Sequence, residues 1–108
     1  EQSLGMAADQ VNIWGWRGTD HGAQLKNTTG WDAGGNGTNS SGFTALPGGY
    51  RYGATGDFYL VTAITYWWTS TEHDADRGWY RRLDSSSTAV YRASTSKKGG
   101  KYIRCLKN

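Results

Sequence analysis

At 108 residues the chain is sized for one domain, residues 1–108, with one modest core. Only 36% of it is hydrophobic, but six Trp, seven Tyr and two Phe supply much of the apolar area, which argues against a disordered chain. The net charge is +3, and no apolar run approaches the length of a membrane-spanning helix, so direct membrane insertion is not expected.

Residues 1–10, EQSLGMAADQ, predict a short helix with Leu4 and Met6–Ala8 inward, weakened by Gly5. An aromatic stretch follows, VNIWGWR at 11–17. Thr19 or Asp20 can cap a second short helix that carries Ala23, Leu25 and Lys26 and ends at 27–30. Residues 30–42, GWDAGGNGTNSSG, form a long Gly-rich loop. Phe43–Leu46 predicts a short strand stopped by Pro47-Gly48-Gly49. Tyr50–Tyr52 and Phe58–Leu60 are short strands around Gly53–Gly56.

From residue 62 the strand pattern strengthens, because β-branched and aromatic residues dominate. Thr62–Ser70, Trp79–Leu83, Thr88–Ala93 and Lys101–Leu106 are the predicted strands, with turns at Asp84–Ser87 and Lys97–Gly100. Short connections imply an antiparallel meander, and the whole reads as an α+β domain.

Charge is unevenly placed: residues 1–76 carry a net −5 and residues 77–108 a net +8. This could serve a polyanion; the expectation is that the two halves pair with each other. Arg81 and Arg82 are adjacent in a strand and face opposite ways, which argues against a continuous nucleic-acid stripe. Cys105 is the single cysteine, either a buried thiol or one whose partner lies outside the chain.

Several segments in order carry a resemblance: Arg17-Gly18-Thr19, the run Gly37–Arg51 containing NSSGFTALPGGYR, Trp67-Trp68-Thr69-Ser70-Thr71-Glu72, and Tyr102-Ile103-Arg104-Cys105-Leu106-Lys107. Together they resemble the Fibrobacter succinogenes major paralogous domain family. The resemblance implies a secreted or lipid-anchored bacterial surface protein without an established activity. It also implies kinship with C-type-lectin-like folds, including the sulfatase-modifying type: one or two short N-terminal helices, then a small antiparallel sheet with long Gly-rich loops. A Cys-Pro-x-Gly-Trp segment usual upstream in the family is not in this chain, so the resemblance implies a shortened copy in which Cys105 lacks its partner.

No residue pattern marks an enzyme. His21 and His73 could act as bases, but no nucleophile motif accompanies them. A formylglycine-generating activity is disfavoured by the single cysteine, and the Gly-rich loop lacks the Gly-Lys-Ser/Thr of a phosphate cradle. Glu72, Asp74 and Asp76 are weak candidates for Ca²⁺, without the pattern of an EF-hand loop. No cofactor is expected. Trp67 and Trp68 must face opposite sides of a strand. The outward one, Trp68, with Trp79, Tyr80 or Tyr50 and with Glu72, is the candidate ligand surface, against the expectation that most of these rings form a second buried layer or pack under the Gly-rich loops. Arg104 is expected to bond a carbonyl or an acid. The function expected is a non-catalytic extracytoplasmic module that binds carbohydrate or another surface protein. The alternative is a purely structural or protein-interaction module.

Overall fold

The computed structural model describes residues 1–106; Lys107, the last residue of the closing motif, and Asn108 lie outside them. The fold is mostly β. Strands β1 (Gly15–Arg17), β4 (Ile64–Glu72), β5 (Arg77–Asp84) and β6 (Val90–Ser96) form an antiparallel sheet in the order β1-β6-β5-β4. Strands β2 (Tyr50–Arg51) and β3 (Phe58–Tyr59) pair separately as a two-stranded ribbon.

The meander β4-β5-β6 lies where the β-branched and aromatic runs put it. Its register sets Thr65 opposite Leu83, Trp68 opposite Tyr80, and Tyr80 opposite Ala93, with an irregularity between Trp68 and Glu72. Asp84 shapes the β5–β6 turn: its Oδ1 accepts from the Ser86 backbone N–H at 3.1 Å and from the Ser86 hydroxyl at 2.9 Å.

One face of this sheet covers the core. Leu83 and Val90 project from it onto Trp31 and Ala45, and Leu25, Phe43 and Trp67 pack around them. Trp31 comes from the Gly-rich loop, which wraps its indole. Trp31 Nε1 donates to the Ala45 carbonyl at 3.1 Å, and the Trp31 backbone N–H donates to Asn36 Oδ1 at 3.0 Å. Lys26, 2% exposed, lies 5.2 Å from the Trp31 ring centroid and donates from Nζ to the Asp84 and Ser87 carbonyls, both at 3.0 Å. The loop therefore supplies the core's largest ring.

Several expectations need correction. The helical part is much smaller than an α+β pattern implies. Residues 1–10 give only a 3₁₀ turn at Gln2–Leu4, ended by Gly5 at φ 93°. The second helix, α1, is His21–Leu25. Asp20 stands at its N-cap position, but its carboxylate accepts from the Gln24 side chain at 3.2 Å instead of capping the backbone. This helix docks through Gly22, where an added Cβ would sit 2.2 Å from the Ala89 carbonyl oxygen.

Phe43–Leu46 is not a strand: Thr44 takes φ 55°, which breaks the extended run and leaves only a bridge from Ala45 to Lys26. Lys101–Leu106 is not a strand either, and its Tyr102 makes a single parallel bridge to Trp67. The unpredicted strand is β1, which pairs with β6.

The two halves pair less than expected. Among the described residues, acid–base pairs between them are limited to Glu1–Arg81 and Glu72–Lys97. Cys105 is exposed, so the buried-thiol reading does not hold.

Candidate functional site

The face of the sheet opposite the core is paved with aromatic rings. Strand alternation and the register put Tyr66 and Trp68 of β4, Tyr80 and Arg82 of β5, Tyr91 of β6 and Trp16 of β1 on this side. The rings touch in sequence: Trp16 to Tyr91 at 5.2 Å between centroids, Tyr91 to Tyr80 at 6.3 Å, Tyr80 to Tyr66 at 5.2 Å and Tyr66 to Tyr50 at 5.0 Å. The β2–β3 ribbon extends the row, with Tyr59 5.9 Å from Tyr50 and Tyr52 6.3 Å from Tyr59. Seven rings thus form an unbroken line.

Two cations are inlaid in that line. Arg82 lies 5.5, 5.8 and 5.7 Å from the centroids of Trp16, Tyr66 and Tyr91, and its guanidinium pairs with Asp84. Lys101 Nζ sits within 5.3, 4.4 and 5.3 Å of the centroids of Tyr66, Trp68 and Tyr80. Ring faces attract such cations electrostatically, more strongly where water is partly excluded. Gly78 lets Trp68 lie down: an added Cβ at that position would be 3.0 Å from the Trp68 ring.

The row runs into an open cleft of about 610 Å³. Its floor is Tyr66 and Tyr80; one wall is Tyr50–Ala54 and the other Thr95–Ser96 with Lys98, Gly99 and Lys101. Burial pushes the Tyr80 phenol up to about 12, and the neighbouring phenols of Tyr66 and Tyr91 act in the same direction. Burial likewise raises the Tyr66 phenol above its ordinary value and lowers the Lys101 ammonium below its own. Both phenols stay neutral at physiological pH, so the floor offers ring faces and neutral hydroxyls.

The structure brings together three of the residues expected to bind a ligand and separates the others. Trp68 and Tyr80 are cross-strand neighbours on the ring-lined face, and Tyr50 continues its row beside Tyr66. Trp79 points to the opposite face, where Arg92 lies 3.8 Å from its centroid and Trp14 and His73 pack edge-on to it. Glu72 stands exposed at the end of β4, paired with Lys97 at 2.6 Å. Asp74 Oδ1 accepts from the backbone N–H groups of Asp76 and Arg77, and its Oδ2 contacts His73. Among the described residues no three His, Cys, Asp or Glu side chains gather as a metal site.

His21 is buried, its Nδ1 accepting from the Thr19 backbone N–H at 3.3 Å. Arg104 bonds the Phe43 carbonyl, as expected of it, and lies 4.2 Å from the Phe43 ring centroid.

Sequence reading missed Trp16, Tyr66 and Tyr91. The available signal was parity: Tyr66 and Trp68 share one side of a strand, and so do Tyr80 and Arg82. Trp16 had no such signal, because its partner strand lies more than seventy residues away.

No curated protein and no solved structure matches the chain. The family model described as the Fibrobacter succinogenes major domain matches residues 1–107, and the chain belongs to that family.

Proposed function

We propose that this domain is a non-catalytic binding module of a bacterial surface protein and that its ligand is a saccharide laid along the ring-lined cleft. One observation carries the reading: a continuous row of aromatic rings opens into a cleft large enough for a sugar or two. Ring faces offer rigid apolar area with little entropy to lose, while the phenol hydroxyls supply polar contacts. The same reading takes the domain as extracytoplasmic and akin to C-type-lectin-like folds. Its support is the long Gly-rich loop that packs Trp31 against an antiparallel sheet.

A glycan array tests this directly. Binding to one or a few glycan classes, weakened by Tyr80→Ala without loss of fold, is the expected result. An array without hits sinks it.

A second reading, a structural or protein-interaction module, is favoured by a different surface. Phe58, Val61 and Ile103 are 75, 61 and 76% exposed. Leu60 and Thr62 beside them hold positive φ, a conformation that costs a β-branched residue such as Thr62 energy. Large apolar side chains held outward in this way suit a protein partner.

A further inference from the structure

The cleft has a charge as well as a shape. Its lining includes Arg51, Lys98 and Lys101 and not one acid. Among the described residues none of these three cations forms an ion pair, whereas Arg81, Arg82 and Lys97 in the same part of the chain all do. Lys101 is the most constrained. It is half-buried, it is held over Tyr66, Trp68 and Tyr80, and its ammonium donates no hydrogen bond to another described residue. A half-buried ammonium with unused donors is a poor structural element, because ring faces replace only part of its hydration. It is a good anchor for an anion that arrives already attached to something flat enough to stack.

We infer that the cleft selects an anionic saccharide, its sugar rings stacked on Tyr66 and Tyr80 and its carboxylate or sulfate group bonded by Lys101, with Lys98 and Arg51 drawing the charge in at the rim. The inference rests on the saccharide reading above and narrows it. Carboxylate and sulfate present the same chemistry to a lysine, which acts as a point charge and not as a planar fork. A neutral sugar offers the ammonium hydroxyl acceptors but no opposite charge, and bonds to an ionised acceptor are the stronger.

The test is calorimetric titration of the whole chain with an oligogalacturonate, the same oligomer as its methyl ester, a sulfated oligogalactan and a short oligothymidylate. The acid or the sulfated oligomer should bind about tenfold more tightly than the methyl ester, as one hydrogen bond to a charged group implies. Lys101→Met should abolish that preference, so that acid, sulfated oligomer and ester bind with equal affinity, and its melting temperature reports whether the fold survives. Should Lys101→Met fail to fold, Lys98→Ala with Arg51→Ala, both at the rim, should still reduce the preference and its dependence on salt.

Equal binding of acid and ester overturns the anionic selectivity and leaves the saccharide reading standing. Absence of binding by both charged oligomers overturns the inference, with the glycan array deciding the broader reading independently. Tighter binding of the oligothymidylate than of either charged saccharide also overturns it, in favour of a nucleic acid.

Discussion

Arg81 in β5 donates from Nε to Oε1 of Glu1 at 2.8 Å, across eighty positions of sequence. The same carboxylate receives both terminal nitrogens of Arg17, at 2.9 and 2.8 Å, and Arg17 is 3% exposed. One carboxylate thus bonds two guanidinium groups and offsets one of their two charges. Removing one partner of a buried pair leaves charge without compensation, which costs about 3 kcal/mol or more. Glu1→Ala should therefore lower the stability measured by urea denaturation by about that amount, and more than Glu72→Ala, whose partner Lys97 is exposed.

Acid should unfold the domain through two carboxylates. At Glu1 burial raises the carboxyl, but the Arg17 bond and the charges of Arg81 and Arg17 outweigh it, and the group sits below its ordinary 4.5. At Asp84 burial again raises and the bonds from Arg82 and Ser86 outweigh it, so that group lies below its ordinary 3.8. A carboxyl lowered on folding contributes stability above its unfolded value, and that stability is lost as pH falls through the folded value. Melting temperature should hold between neutral pH and the ordinary carboxylate range and then fall steeply below it. Glu1→Gln should flatten the fall.

Alkali acts through the ring row. Tyr80 ionises at about 12. A group raised on folding gives stability that is full below its unfolded value, about 10, and lost as pH rises through the folded one. Ultraviolet titration of the phenolates should show late ionisation from Tyr66 and Tyr80, and Tyr80→Phe should remove part of it. An unchanged titration curve in that variant would contradict the placement of Tyr80.

Lys26→Met tests the loop's grip on the core. The ammonium bonds two carbonyls of the β5–β6 turn and lies against Trp31. Methionine keeps the chain's volume but leaves two acceptors unsatisfied, costing about 2 kcal/mol. Urea denaturation should report the loss.

Gly78→Ala separates packing from binding. The new methyl would meet the Trp68 ring at 3.0 Å, so the indole must shift from its place beside Lys101. A loss of stability of about 1 kcal/mol is expected, together with a measurable fall in saccharide affinity.

The meander was legible because its signal is local. Ile64–Glu72 and Val90–Ser96 are dense in β-branched or aromatic residues, and the parity of each strand can be counted. Trp31 was not legible as core. Nothing in GWDAGGNG distinguishes a loop that exposes its indole from one that folds around it, and the bonds that decide come from Asn36 and Ala45. Phe43–Leu46 misled for the converse reason: its composition suits a strand, while Asn39, accepting from the Thr44 N–H at 2.7 Å, holds the backbone in a turn. At the site, Trp68 and Tyr80 could be named from sequence, but their separation from Trp79 depends on the parity of β5, and Glu72 was drawn away by Lys97.

The segment that carries Lys101 has a second occupation. Tyr102 donates its N–H to the Tyr66 carbonyl at 2.9 Å and accepts from the Trp68 N–H at 3.0 Å, while Gly49 donates to the Ile64 carbonyl at 2.7 Å. These bonds use up backbone groups along the free side of β4 that would otherwise recruit a strand from another molecule. Guarding the sheet against self-association and presenting the anchor lysine are thus duties of one short stretch of chain. A ligand that displaced it would loosen the guard, and a chain cut before Gly100 would gain a tendency to associate as it lost its anchor.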